Sequence, residues 1–175
     1  MTPAKPTAAR KGPIDVGAAL VRAYLTSERI NQTLLELLDP TIWRLSPPCS
    51  KRRNIATSFA HIHNVRCMRL KMSGRGSKIP AGLDRADVTI EQAKSALAES
   101  ATAMAALIRR SLDAGGRVQE CPPDVVSMAM AAISHEAHHR GQICHWAREL
   151  GSPITSEQQL KLWDWHKRWK ETPAE

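Results

Sequence analysis

Aromatic residues are scarce in this chain of 175 residues. They make up 4% of it, as five tryptophans, one tyrosine and one phenylalanine. A buried core must therefore be built mainly from Leu, Ile, Val, Met and Ala, which suits helices better than sheets. No useful stretch alternates as a strand would, and we find no internal repeat. The sequence therefore predicts a single all-α domain.

Long apolar runs and paired cysteines are missing as well. No run approaches the roughly 20 apolar residues that a membrane-spanning helix needs, so we expect no membrane partner. The four cysteines lack any C-x-x-C spacing, which fits a reducing cytoplasm better than a disulfide framework. Residues 1–13 are basic and lack the apolar segment of a secretory signal, which predicts a disordered basic tail. We therefore expect a cytoplasmic protein.

Positive charge is in excess but is not concentrated. The 25 Lys and Arg residues exceed the 17 Asp and Glu residues, giving a net charge of +8. A nucleic-acid-binding surface usually gathers its basic residues in one stripe. Here they are spread over many segments, so a solvated basic face is the favoured interpretation and we expect no nucleic-acid partner.

Apolar residues at helical spacing predict four long helices and a shorter one. The predicted helices cover about residues 14–38, 53–72, 89–114, 122–150 and 156–170. The connection over residues 74–88 is long, as is typical of crossovers and functional loops. We predict a metal-binding four-helix bundle over residues 14–151 and a C-terminal helical extension over residues 152–175.

Three histidines in five residues mark the fourth predicted helix. His135 and His139 are four residues apart, so they share one face, and that face is the predicted core stripe. Burying an unpaired polar group costs about 2–7 kcal/mol, and a shared metal ion would satisfy both rings. His138 and His145 lie to one side of the stripe, and we expect them at its rim.

The second predicted helix offers a third ligand. His61 lies on its predicted inward face together with Val65, Met68 and Met72. His63 is about 200° further around the helix and is expected to face away. Three neutral imidazoles match a catalytic zinc-type site. We therefore predict a divalent ion on His61 and the pair in the fourth helix, with zinc or nickel ahead of iron or manganese.

Residues 135–139 also spell the HExxH signature of zinc proteases, in which the glutamate is a general base. In the metzincin version of this motif, a glycine three residues after the second histidine breaks the helix. Here that position is Gln142, and the helical spacing continues to Leu150, so the protease is disfavoured. Glu136, His138 and Gln142 are left as residues that orient the ligands or the substrate.

The segment His-Glu-Ala-His-His-Arg-Gly-Gln at residues 135–142, together with Ala60-His61-Ile62, resembles the DinB/YfiT-like metalloprotein superfamily. The resemblance covers roughly residues 14–151, and the tryptophan-rich extension departs from it. It implies an up-up-down-down four-helix bundle, commonly a homodimer, with a divalent metal on His61, His135 and His139. We expect the extension to cap the end of the bundle, ahead of a dimer contact or a lid.

Members of that superfamily include S-transferases that use low-molecular-weight thiols, and hydrolase-like enzymes. The resemblance therefore implies a metal-dependent enzyme of small-molecule chemistry, with an ion that lowers the pKa of a bound thiol or water. The alternative is a non-catalytic structural or regulatory metal-binding bundle. A zinc protease and a basic nucleic-acid binder come after both. No catalytic residue is predicted beyond the ligands.

Overall fold

Residues 12–50, 53–74, 76–119 and 123–172 are described by a computed structural model. Over these residues the chain forms six α-helices, a short 3-10 helix and no β-strand, which confirms the all-α class. The α-helices are α1 (Val16–Leu37), α2 (Ile55–Ser73), α3 (Ile90–Asp113), α4 (Val125–Glu149), α5 (Ser156–Trp163) and α6 (Trp165–Glu171), and the 3-10 helix is Pro40–Ile42. Residues 1–11 of the predicted tail lie outside the described ranges.

The four long helices begin where a polar side chain caps their first turn. Asp15, Asn54, Thr89 and Asp124 each accept a hydrogen bond from a backbone N–H three residues further on. At Thr89 the side chain of Gln92 reaches back to the capping residue, which confirms the predicted capping box. These caps fix the ends of the helices that carry the site.

The directions of α1–α4 follow from the contacts between them. The side chain of Gln32, near the end of α1, donates to the backbone carbonyl of Lys94, near the start of α3. These two helices are therefore antiparallel. In α2, His63 and Arg66 contact Ala96 and Leu97 in the same order, so α2 and α3 are parallel.

The fourth helix runs with the first. Asn31 of α1 binds both Glu136 and Arg140, and further along Asp39 contacts Ser152, so α4 is parallel to α1. The order along the chain is therefore up-down-down-up and not the up-up-down-down order that the resemblance implies. The cause is the connection between α2 and α3, whose described part runs back beside α2: the carbonyl of Ala81 meets His63 in α2, and that of Val88 meets Trp43, which precedes α2.

A polar layer divides the core in two. One apolar cluster packs around Leu34, Phe59 and Ile143, and the other around Tyr24 and Met128. Between them each long helix contributes buried polar side chains, namely Glu28 and Asn31, Arg66, Ser100, and Glu136 and His139. The candidate site lies in this layer.

The C-terminal segment differs from its prediction in two ways. The expected single helix over residues 156–170 is broken at Asp164, whose side chain caps α6 by accepting from the N–H of Lys167. Its contacts are with the side of α1, because Arg22 donates to the carbonyl of Trp169 at 2.8 Å and stacks over its ring. Arg168 also donates to Thr33 at 2.8 Å. The segment therefore packs along α1 of its own chain. The prediction that it caps the end of the bundle is wrong.

No helix within the described ranges is both long and apolar enough to span a membrane. Cys49, Cys67 and Cys144 are free thiols, and Cys121 falls outside the described residues.

Candidate metal centre

Three imidazoles from two helices converge on one point. The Nε2 atom of His135 lies 3.2 Å from Nε2 of His61 and 3.1 Å from Nε2 of His139. The ligand atoms of all three rings lie within 4.8 Å of one another. Three nitrogens at about 2.0–2.1 Å from one tetrahedral ion would be about 3.3 Å apart. The two shorter separations come close to that value, so the cluster has the dimensions of a metal site.

The fourth helix supplies two of these rings because it is uninterrupted. It continues through Gly141 to Glu149, as the apolar spacing predicts, so His135 and His139 stack one turn apart. His145 is exposed and is not part of the cluster. The helix therefore cannot turn back to bring His145 to the ion, which a metzincin would require.

Gln142 holds one of the rings in a defined state. Nδ1 of His139 lies 2.8 Å from Oε1 of Gln142, which can only accept, so Nδ1 carries the proton. The neutral ring then presents an unprotonated Nε2 to the cluster. Outer partners of this kind orient metal-ligating histidines and fix their tautomer.

Burial keeps the three rings neutral. It lowers the pKa of His61 to about 4, with further lowering from His139, His135, Arg85 and Arg53. Burial likewise lowers the pKa of His135 and of His139. At neutral pH the three rings are therefore uncharged, and the uncharged imidazole is the form that binds a metal ion.

His138 stays outside the cluster. It is exposed, and its ring meets that of His139 edge-on with 5.2 Å between the centroids. The described contacts give it no role beyond packing against the ring of His139.

The inward face of α2 is rotated from its predicted position. His63 was expected to face away, but it is fully buried, with Nδ1 2.9 Å from the carbonyl of Ala96 and Nε2 2.8 Å from that of Ala81. Met68 and Met72, expected inside, are 50% and 46% exposed. The reason is that α2 buries the polar residues His63 and Arg66, which a hydrophobic pattern does not mark. His61 consequently stands at the edge of the buried face and opens to solvent.

Glu136 points into the polar layer. Its Oε1 accepts from Nε of Arg66 at 2.8 Å, and its Oε2 accepts from Nη2 of Arg66 and from Asn31, both at 2.7 Å. Burial alone would raise the pKa of Glu136, but Arg66 and the hydrogen bonds hold it below its usual value. With both oxygens engaged and 2% of the residue exposed, Glu136 is not available as the general base of a protease.

The same arginine joins a second carboxylate. Nη2 of Arg66 donates to Glu28 at 2.6 Å, and Arg140 donates to Asn31 at 2.7 Å. We refer to Glu28, Asn31, Arg66, Glu136 and Arg140 as the buried polar network. It is joined to the candidate metal centre through the backbone of α4, where Glu136 follows His135 and Arg140 follows His139.

A cavity of about 470 Å³ opens beside the cluster. Its described lining is Arg53, Thr57, Ser58, His61, Arg85, Ala86 and His139. Nη2 of Arg85 donates to Nδ1 of His61 at 3.0 Å. Arg85 was not predicted from the sequence, although residues 74–88 form a long connection of the kind that often carries function.

Comparison with known protein families identifies one that the chain resembles over most of its length. A model of the DinB family matches residues 18–170. The matched region includes α5 and all but the end of α6, which the sequence resemblance placed outside the family pattern. No curated protein and no solved structure shows significant similarity to the chain.

Proposed function

This chain belongs to the DinB family, and on that premise we propose that it is a metal-dependent enzyme acting on small molecules, with thiol S-transfer or hydrolysis as its chemistry. The observation that carries the proposal is the convergence of His61, His135 and His139 beside an open cavity. The substrate would enter that cavity, and the ion would be held by the three Nε2 atoms.

The donor set fits a divalent transition metal. Neutral imidazoles suit zinc and nickel, and also iron or manganese, whereas calcium and magnesium prefer oxygen ligands. Three protein ligands are the number found in catalytic zinc sites, which keep one position for water or substrate. When bound there, the ion would lower the pKa of a thiol or a water molecule and so supply a nucleophile at neutral pH.

The residues around the ligands divide the remaining tasks. Gln142 holds the proton of His139 on Nδ1 and so keeps Nε2 free. Arg85 reaches His61 from the loop and places a positive charge at the cavity. Glu136, through Arg66 and Asn31, ties α4 to the other helices and thereby holds His135 and His139 in place.

Three further expectations belong to this proposal. We take α1–α4 to form the four-helix bundle of the family, since α1 and α2 each pack against both α3 and α4. A homodimer follows from the family resemblance alone. A cytoplasmic location follows from the scattered cysteines.

A non-catalytic metal-binding bundle is the second candidate. One observation favours it, because the described residues that line the cavity include no carboxylate to accept a proton. In this case the ion would be structural or regulatory, and added thiols would not react at the site.

Metal content tests the site. The protein would be purified without chelator and without a nickel column, and its metals measured by elemental analysis beside His61→Ala and His135→Ala. We expect stoichiometric metal that both variants lose, while the matched control His138→Ala, which removes the exposed neighbour, keeps it. A metal-free protein, or equal metal in all four proteins, would overturn the assignment.

Turnover separates the two candidates. The metal-loaded protein would be assayed with glutathione-, mycothiol- and bacillithiol-type thiols and a chromogenic electrophile. Metal-dependent S-transfer that is absent in His135→Ala supports the enzyme. Stoichiometric metal without turnover of any thiol or ester probe supports the non-catalytic bundle.

A further inference from the structure

We infer that Arg53 and Arg85 form an oxyanion-binding subsite at the mouth of the metal-site cavity, so that the substrate carries a carboxylate or a phosphate group. The inference rests on the proposed function in placing the substrate in this cavity. Both arginines line this cavity. In the sequence they flank α2, with Arg53 just before it and Arg85 in the loop between α2 and α3.

Neither arginine of the proposed subsite has an acidic partner in the described part of the chain. Arg29, Arg66 and Arg168, by contrast, each pair with a glutamate at 3.1 Å or less. An anion bound between Arg53 and Arg85 would supply the missing negative charge.

The acidic residues nearest to Arg85 in sequence are engaged elsewhere. Oδ1 of Asp84 accepts from the N–H of Ala86 at 2.8 Å. Asp87 lies 3.5 Å from Arg44. Adding a divalent ion to three neutral rings would raise the positive charge of the cavity further. A site of this kind favours an anionic ligand over a neutral one.

The loop that carries Arg85 is held by the helix that carries His61. The side chain of Asn64 donates to the carbonyl of Leu83 at 2.9 Å and accepts from its N–H at 2.8 Å. His63 contacts the carbonyl of Ala81, and Trp43 donates to that of Val88 at 2.9 Å. The loop is thus fixed on both sides of Arg85, so the backbone from which this side chain projects toward the cavity is positioned by the fold.

The hydrogen bond of Arg85 to His61 also indicates when the guanidinium is available. Arginine only donates, so Nδ1 of His61 accepts and the proton of the neutral ring lies on Nε2. A metal ion on Nε2 requires the other tautomer, in which Nδ1 carries the proton. Metal binding and this hydrogen bond therefore exclude each other in a neutral ring. The ion would release Arg85, whose planar donors fit carboxylate and phosphate in pairs.

Isothermal titration with inorganic phosphate and with acetate tests the subsite. The probes would be added to zinc-loaded and to metal-free protein, in the unmodified chain, Arg85→Gln and Arg53→Gln. Arg148→Gln is the matched control, since Arg148 is exposed on α4 about 13 Å along the helix from His139. Melting curves and zinc content would establish that each variant is folded and loaded.

We expect Arg85→Gln to weaken anion binding to zinc-loaded protein about tenfold, as for loss of a charge-assisted hydrogen bond. Arg53→Gln should weaken it in the same direction, and Arg148→Gln should leave it unchanged. Tighter binding of phosphate indicates a phosphate-bearing substrate, and tighter binding of acetate indicates a carboxylate. Both outcomes support the subsite.

Equal anion affinity in Arg85→Gln, Arg53→Gln and the unmodified protein would overturn the inference, because the anion would then bind the ion alone. Chloride that binds as tightly as the oxyanions would overturn it too. Failure of the metal assignment shows separately, as missing zinc in the elemental analysis. In that case the metal-free titrations compare both variants with the unmodified protein while Arg85 is hydrogen-bonded to His61, and equal anion affinity in all three would overturn the inference.

Discussion

His135 and Glu136 are neighbours on α4, yet they belong to two sites of opposite design. A step of about 100° around the helix turns the His135 side chain toward His61 and His139 and the Glu136 side chain into the core. The buried polar network contains two glutamates and two arginines, whose hydrogen bonds are made within the fold. The candidate metal centre contains three neutral rings whose Nε2 atoms converge, and two of its histidines, His61 and His139, line the cavity.

The difference separates structural polar groups from functional ones. In the network the hydrogen-bond donors already have acceptors within the fold. The hydrogen bonds of the network therefore contribute to the free energy of folding. In the metal centre nitrogens converge that cannot all donate and accept among themselves. The cluster is complementary to an electrophile that the chain does not contain. We therefore expect the cluster to stabilise the fold only when a metal ion is added.

Removing the central cation of the network should have the largest effect. Arg66→Met leaves Glu28 and Glu136 buried without their partner, and breaking a buried pair in this way costs about 3–5 kcal/mol. We expect the free energy of unfolding, measured by urea denaturation, to fall by that amount. The matched control Arg53→Met, at an exposed position, should cost less than about 1 kcal/mol. Similar losses in both variants would mean that the network is no more structural than the cavity mouth.

Adding metal should stabilise the protein through the other site. At a zinc concentration about 100 times the Kd, binding to the folded state alone raises the free energy of unfolding by about 2.7 kcal/mol. We expect this gain in the unmodified protein and in His138→Ala, measured by thermal denaturation with and without zinc. His135→Ala should show no gain. Zinc stabilisation that persists in His135→Ala would place the ion elsewhere.

The convergence of the three histidines could be predicted from the sequence because its signal is local or periodic. His135 and His139 are four residues apart on a strongly apolar helix, and helical geometry alone brings their rings together. His61 was predicted on a less secure basis, since the apolar face used to orient it was misplaced. It reaches the cluster from the edge of the buried face and not from its centre.

Most of the features that the sequence could not predict depend on contacts between residues that are distant in the sequence. Glu136 and Arg66 are 70 positions apart, and their burial becomes favourable only because they meet. Arg85 comes to His61 through a loop docked by Asn64, for which no periodic pattern exists. The break at Asp164 is a local competition between capping and continuing a helix, which an amphipathic pattern does not resolve.

Gln142 offers a finer test of the metal centre. Gln142→Leu removes the acceptor that keeps the proton of His139 on Nδ1, and loss of such a partner typically weakens metal binding about 10–100-fold. The zinc Kd, measured by competition with a chromogenic chelator, should rise by that factor. Gln142→Glu, which keeps an acceptor at the same position, should retain most of the affinity. Equal weakening in both variants would show that the amide acts by packing and not as an acceptor.

The smallest expected effect has the opposite sign. Arg85 repels a cation and holds His61 in the tautomer that cannot bind one, so Arg85→Gln should tighten zinc binding. At a half-open site this is worth about 1 kcal/mol, or about fivefold in Kd, in buffer without oxyanions. Arg148→Gln removes the same charge further along α4 and should leave the Kd unchanged.

Phosphate then distinguishes a repelled ion from a shared ligand. If Arg85 and zinc hold the same phosphate ion, zinc and phosphate must each strengthen the binding of the other. The two factors must be equal, because coupling between binding sites is reciprocal. Added phosphate should therefore tighten zinc binding in the unmodified protein and tighten it less in Arg85→Gln. Weaker zinc binding in Arg85→Gln without phosphate would instead make Arg85 a support for His61. The cavity side of the comparison would then resemble the buried network, in which an arginine serves the fold.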